Sequence, residues 1–213
     1  MRIPKKLEKW YFTAASKLFS SVTSNLKNIY YWLWGIRHPE KRKGLLKLQK
    51  QVLNELASFS VELPTEFHVT MYEQTAWYCE SADKILFPLG YMHANMRKIH
   101  SAVHDLRHEY GHAAIWHVYE KVGPKEFAKL FGSLWFPYED HLFICYQYRR
   151  LDKRNYLSKY AQVHPAEDFA ECFAHYLKYK GDIARYKDRP GVYEKMKFVE
   201  KVVKCLQKRY PTS

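Results

Sequence analysis

The sequence predicts an α+β chain in which a small sheet precedes a group of helices, and three stretches carry that expectation. Short runs rich in β-branched and aromatic residues fill Phe67 to Leu89. After them Met96, Ile99, Val103, Leu106, Tyr110 and Ala113 recur at three- and four-residue steps, the period of an amphipathic helix. Tyr160 to Leu177, Y-A-Q-V-H-P-A-E-D-F-A-E-C-F-A-H-Y-L, sets acids among small and aromatic residues, which suits a buried helix. The sheet is expected to be antiparallel or mixed, of about three strands, beside a site-bearing helix and several further helices.

Taken in order, the chain begins with its charge. Residues 1–60 hold 12 Lys and Arg against 3 acids, and the other 153 residues hold 23 against 19. The net charge of +13 therefore belongs mostly to a basic, aromatic-rich helical segment, 1–60, ahead of a mixed-charge unit, 61–213. Within the segment, 5–34 reads as helix and Gly35 to Gly44 as a charged break. Leu45 to Phe59 resumes helical periodicity through Leu45, Leu48, Val52 and Leu56. A helix docked on the core with its lysines in water is the favoured reading. The alternative is peripheral contact of residues 1–34 with an anionic membrane. The basic residues are dispersed and form no reading motif, which argues against nucleic acid. Glu8 and Lys9 interrupt the apolar core a secretion signal would need, and no apolar run reaches the length of a membrane span. Cys79, Cys145, Cys172 and Cys205 lie far apart, with no C-x-x-C pair. That argues against a cysteine zinc ribbon and for a reducing, cytoplasmic setting.

In the strand region His68 to Tyr72 alternates, and Thr75 to Cys79 and Lys84 to Leu89 are separated by Glu80 to Asp83. Pro88 marks the last run as an edge strand, or ends it. As an edge, Ile85, Leu86 and Phe87 would hold an extended peptide by strand addition. The long helix stops at Gly123-Pro124, and Lys125 to Phe131 and Tyr138 to Arg150 read as further helices.

The chemistry sits in His108-Glu109-Tyr110-Gly111-His112, an H-E-x-x-H motif. At about 100° per residue, His108 and His112 lie roughly 40° apart on one face, one turn apart. Two neutral imidazoles at that spacing can share one Zn²⁺, and Glu109 can act on the attacking water as general base. The apolar stripe lies roughly opposite, so the histidines face whatever else the fold brings near. In the second helix Pro165 suits the first helical position and Gly181 a C-terminal stop. Glu167 and Glu171 stand one turn apart on one face, where like charges repel and a buried cation would relieve them. The dipole of a first helical turn accounts for Glu167 and Asp168, but poorly for Glu171. Spacing does not choose between Glu167 and Glu171 as the carboxylate ligand.

With both motifs in view, H-E-Y-G-H followed by H-P-A-E-D-F-A-E-C-F-A-H-Y-L resembles the zincin-type zinc-binding metallopeptidases of bacteria. More distantly it is similar to the protease domain of anthrax lethal factor and to the titration factor A peptidases. The resemblance covers roughly Phe67 to Leu177, and the pair of motifs is far more specific than either alone. It implies a zincin-like fold, a zinc-dependent peptidase acting on peptide or protein substrates, and His108, His112 and Glu167 as ligands. It implies further that Glu171 orients a ligand histidine and that Tyr160, seven residues before Glu167, assists catalysis.

Among the other histidines, His104 is the better candidate to support the site from behind, with Asp105 as its partner. His100 drifts off the face. His117 is five residues past His112, and Ile115 stands where the metzincin pattern needs Gly, so that arrangement is excluded. His164 and His175 read as caps or packed rings, and Cys172 as core. A different class of function is a zinc-binding regulatory or toxin-like module acting through its basic N-terminus. The base-plus-ligand set favours the enzyme, because a purely structural zinc has no use for Glu109.

Overall fold

The structure is a computed structural model and describes residues 39–70, 76–88, 99–137, 139 and 148–210. The expected helix over 5–34, and the membrane contact assigned to 1–34, lie outside those residues. So does most of the helix expected over 138–150.

The first described helix, α1 (Pro39–Ala57), starts inside the expected charged break. Pro39 suits a first helical position, where a missing N–H costs no hydrogen bond, and the helix runs through Gly44. Leu45, Val52 and Leu56 are buried in the same core as the H-E-x-x-H helix. An ion pair fixes the approach: Arg107 donates from Nε and Nη2 to the two carboxylate oxygens of Glu55, at 2.7 and 2.6 Å. A bidentate pair of this kind sets orientation as well as distance.

The sheet is mixed, built from β1 (Glu66–Thr70), β2 (Trp77–Cys79) and β3 (Lys84–Pro88) in the order β1-β3-β2. Strand β3 runs parallel to β1 and antiparallel to β2. The edge-strand expectation for Ile85, Leu86 and Phe87 is therefore corrected. Ile85 and Leu86 have partners on both sides, Phe67 and Tyr78 for the one, His68 and Trp77 for the other. Phe87 pairs with Val69. Strand addition at Ile85 and Leu86 is closed off because β1 and β2 flank them on both sides, and the nonlocal pairing with β1 is one that Pro88 does not report. The side chains of Ile85 and Phe87 point into the core.

A tight corner ties this sheet to the helices. Asp83 sits in the left-handed region (φ 48°) between the short 3-10 turn Glu80–Ala82 and β3. Its Oδ1 accepts from Thr65 Oγ1 at 2.8 Å and from Tyr78 OH at 3.0 Å. The same oxygen lies 3.2 Å from Nε2 of His117.

Four described helices follow: α2 (Ile99–Val122), α3 (Pro124–Leu130), α4 (Pro165–Lys178) and α5 (Pro190–Arg209). The last is not among the elements expected from the sequence, although Val192, Met196, Val199, Val203 and Leu206 bury a continuous stripe. Phe127, Phe131, Phe169, Phe173 and Phe198 pack where α3, α4 and α5 meet, with centroids 4.9 to 6.4 Å apart. Each such ring, fully buried, contributes roughly 1.5–3 kcal/mol. Helix α2 is enclosed almost all round: Val103, Leu106 and Tyr110 on one side, Arg107, His108 and Glu109 buried on others. The face opposite the apolar stripe is covered by α4. The two helices touch at Gly111, where an added Cβ would stand 2.9 Å from Ala170 Cα and 3.1 Å from Phe173 Cβ. No described helix is long and apolar enough to cross a membrane.

Candidate metal centre

That crossing puts Glu167 and Glu171, on either side of Ala170, against the histidines of α2. His108 Nε2 lies 2.8 Å from Glu167 Oε2 and 3.1 Å from His112 Nε2, and His112 Nε2 is 3.5 Å from the same Glu167 oxygen. His108 and Glu167 are buried, while His112 reaches an opening. On its other side His108 Nδ1 donates to Glu171 Oε1 at 3.1 Å, and His104 Nε2 meets that oxygen at 3.0 Å. Glu171 thus holds the His108 ring from behind and turns Nε2 toward Glu167 and His112.

The donor set fits a small cation. Two ligands bound to one zinc at ideal tetrahedral geometry stand roughly 3.3 Å apart, and the three spacings here are 2.8, 3.1 and 3.5 Å. Two imidazole nitrogens and a carboxylate oxygen meet there in a buried space, where a proton or a metal ion among them satisfies their lone pairs. The titration behaviour expresses the same demand. Burial opposes a charged His108, yet hydrogen bonds to Glu167 and Glu171 hold it well above the usual imidazole range. Burial likewise opposes charge on Glu167, but the His112 charge and the bonds from His108 and His112 hold it well below the carboxylate range. Glu171, against burial, is lowered by its bonds to His104 and His108. The chain can therefore hold a metal ion at His108, His112 and Glu167.

Residues 92–196 match the family described as "putative zinc-binding metallo-peptidase". The matched span takes in H-E-x-x-H, both glutamates of α4 and Tyr160. No curated protein and no solved structure matches the chain.

Two further expected residues fall beside the ion-holding group. Glu109 is buried, and burial lifts its carboxyl above the usual range against the attraction of His112 and His108. Tyr160, on the 3-10 turn Tyr160–Gln162, brings its ring within 5.8 Å of the His108 ring. His117 is drawn away to Asp83 and Tyr210. His164 caps α4, with Nδ1 accepting from Ala166 N at 3.1 Å and Nε2 donating to Phe136 O at 2.6 Å. His175 packs on Tyr186, and Cys172 is core.

Three supporting residues escape the sequence reading. Gly111 sets the helix approach, and only a glycine inside a motif helix hints at it. Arg107 holds α2 to α1, one residue before His108. Lys195 of α5, itself buried, donates to Asp168 Oδ2 at 2.6 Å and to Asn155 O at 2.7 Å.

Proposed function

We propose that the protein is a zinc-dependent peptidase of zincin-like architecture, with His108, His112 and Glu167 as the metal ligands. The observation that carries this reading is the convergence of His108 Nε2, His112 Nε2 and Glu167 Oε2 beside a buried Glu109. A zinc ion held there would acidify water and polarise a carbonyl. Glu109 takes the proton of the attacking water on a carboxylate oxygen and passes it to the leaving amide nitrogen. Burial raises its pKa, which strengthens it as the base of the first transfer. Glu171 and His104 act through His108 by fixing its ring. Tyr160, from beside His108, donates its phenol to the oxygen of the tetrahedral adduct.

The test is metal analysis of the purified full-length protein, followed by digestion of a mixed peptide library with and without a chelator. One zinc per chain and cleavage that chelator abolishes and zinc restores are the expected results. Cleavage indifferent to chelator, or a protein that takes up no zinc, would overturn the reading.

A further inference from the structure

Next to the ion-holding group the surface keeps three large aromatic side chains in water. Trp116, Trp135 and Phe136 are 37%, 65% and 45% exposed. With His112, Ile115 and Leu134 they line a cavity of about 260 Å³. Trp116 and Trp135 meet edge to face at 5.8 Å, and Trp135 stands edge-on to Tyr119 at 6.4 Å.

The wall carrying Trp135 and Phe136 is built into the frame of the site. Gly132 (φ 104°) turns the chain against Pro165, so closely that an added Cβ would stand 3.0 Å from Pro165 Cγ. Phe136 O then accepts from His164, the same residue that caps α4 ahead of Glu167. Ala166 closes the cavity from α4, and His112 belongs both to the cavity lining and to the ion-holding group. The volume falls just under the roughly 300–1,000 Å³ of pockets that take whole drug-sized ligands. It suits one large side chain, and its lining is apolar and aromatic except for His112 and, at one side, Glu80.

We propose that this cavity is a specificity pocket that takes a large apolar side chain, aromatic above all, of a residue flanking the cleaved bond. The inference rests on the peptidase reading. Rings offer edge-to-face partners to the two tryptophans, and filling the cavity removes exposed aromatic surface from water. Because His112 is shared, a side chain seated here leaves its own backbone beside the reacting carbonyl.

The experiment uses full-length, zinc-loaded protein and peptides that differ only in carrying Phe, Leu, Ala or Lys at each position around the cleaved bond. At one flanking position Phe and Leu should give at least a tenfold higher kcat/KM than Ala or Lys. Trp135→Ala should erase that preference, and Trp135→Phe should restore most of it, both at unchanged zinc content. A second readout needs no turnover: calorimetric titration of the Glu109→Gln protein with the same peptides should show the same order of affinity. Ordered binding with no cleavage by the wild type would sink the peptidase reading and keep the pocket. Cleavage without side-chain preference would keep the enzyme and overturn the pocket. A preference for Lys, drawn by Glu80, or an equal loss on every peptide in Trp135→Ala would also overturn it.

Discussion

Helix α4 carries buried acids on two sides, and the two sides are neutralised differently. Asp168 is supplied with a cation from within the chain, the Lys195 ammonium at 2.6 Å. Glu167 and Glu171, one residue before and three after it, meet imidazoles of α2. Burial lifts Asp168 to about 7 in spite of Lys195, whereas both glutamates are held low. One helix thus carries an acid that serves the fold and, beside it, an acid in a group that could hold a metal ion. A closed internal pair holds helices together, and an open cluster stands where it could hold an ion.

The largest expected effect tests the open side. Glu109→Gln should keep its zinc and lose about 10²–10⁴-fold in peptide turnover, since an amide cannot take the proton. Zinc stoichiometry and initial rates, measured on one preparation, check both halves. An active variant would remove Glu109 from the chemistry.

Next comes the closed side. Asp168→Asn leaves Lys195 buried without its counter-charge and should lower stability by about 3–5 kcal/mol. Zinc affinity of the folded fraction should hardly change. Denaturant unfolding and chelator competition separate the two quantities. A variant that kept its stability and lost its metal would erase the distinction between the two sides.

A smaller effect lies within the open cluster. Glu171→Ala should weaken zinc binding by roughly 10–100-fold, because it removes the group that orients His108. Glu167→Ala should weaken it more, because it removes a ligand and a charge. Graded chelators rank the pair, and the reverse order would move the ligand assignment one turn along α4.

The smallest effect is one turn beyond Glu171. Burial lowers His175 to about 4, with His104 adding to the shift. Its neutral ring is therefore favoured in the folded state. The stability it contributes is complete above the unfolded value of about 6.5 and is lost as pH falls toward 4. By pH 5 the loss should be about 2 kcal/mol. His175→Gln, which can still bond Tyr186, should flatten that slope in unfolding curves between pH 7 and 5. An unchanged slope would assign the pH dependence elsewhere.

How much of this is legible in the sequence follows from the range of each interaction. His108, Glu109 and His112 are linked by helical spacing alone, and the α4 acids by the same rule, so both half-sites can be read locally. The central place of β3 cannot, because it pairs with β1, from which β2 separates it in sequence, and a proline looks alike at an edge and at a strand end. Lys195 is one of 35 Lys and Arg residues in the sequence, and only the approach of α4 shows that its ammonium is buried. Helix α5 goes unassigned in the sequence reading despite an evident stripe at 192, 196, 199, 203 and 206. Pro39 looks like part of a break, because its charged neighbours hide that it opens a helix.

The glycine at the α2–α4 crossing also bears on which ions the centre accepts. With backbone against backbone at Gly111 and Ala170, the helices cannot draw closer, and the packing around Phe173 resists their parting. With an ion held between His108, His112 and Glu167, that main-chain contact would limit the aperture and would act as a size gauge. Zinc accepts four ligands with nitrogen at roughly 2.0–2.1 Å. Calcium requires six to eight oxygens at roughly 2.3–2.6 Å, and to admit it the helices would have to separate. Gly111→Ala should blunt the gauge, lowering zinc affinity and narrowing the gap to larger divalent ions such as cadmium by several-fold in competition titrations. An unaltered zinc-to-cadmium ratio in that variant would assign ion selectivity to the ligand atoms alone.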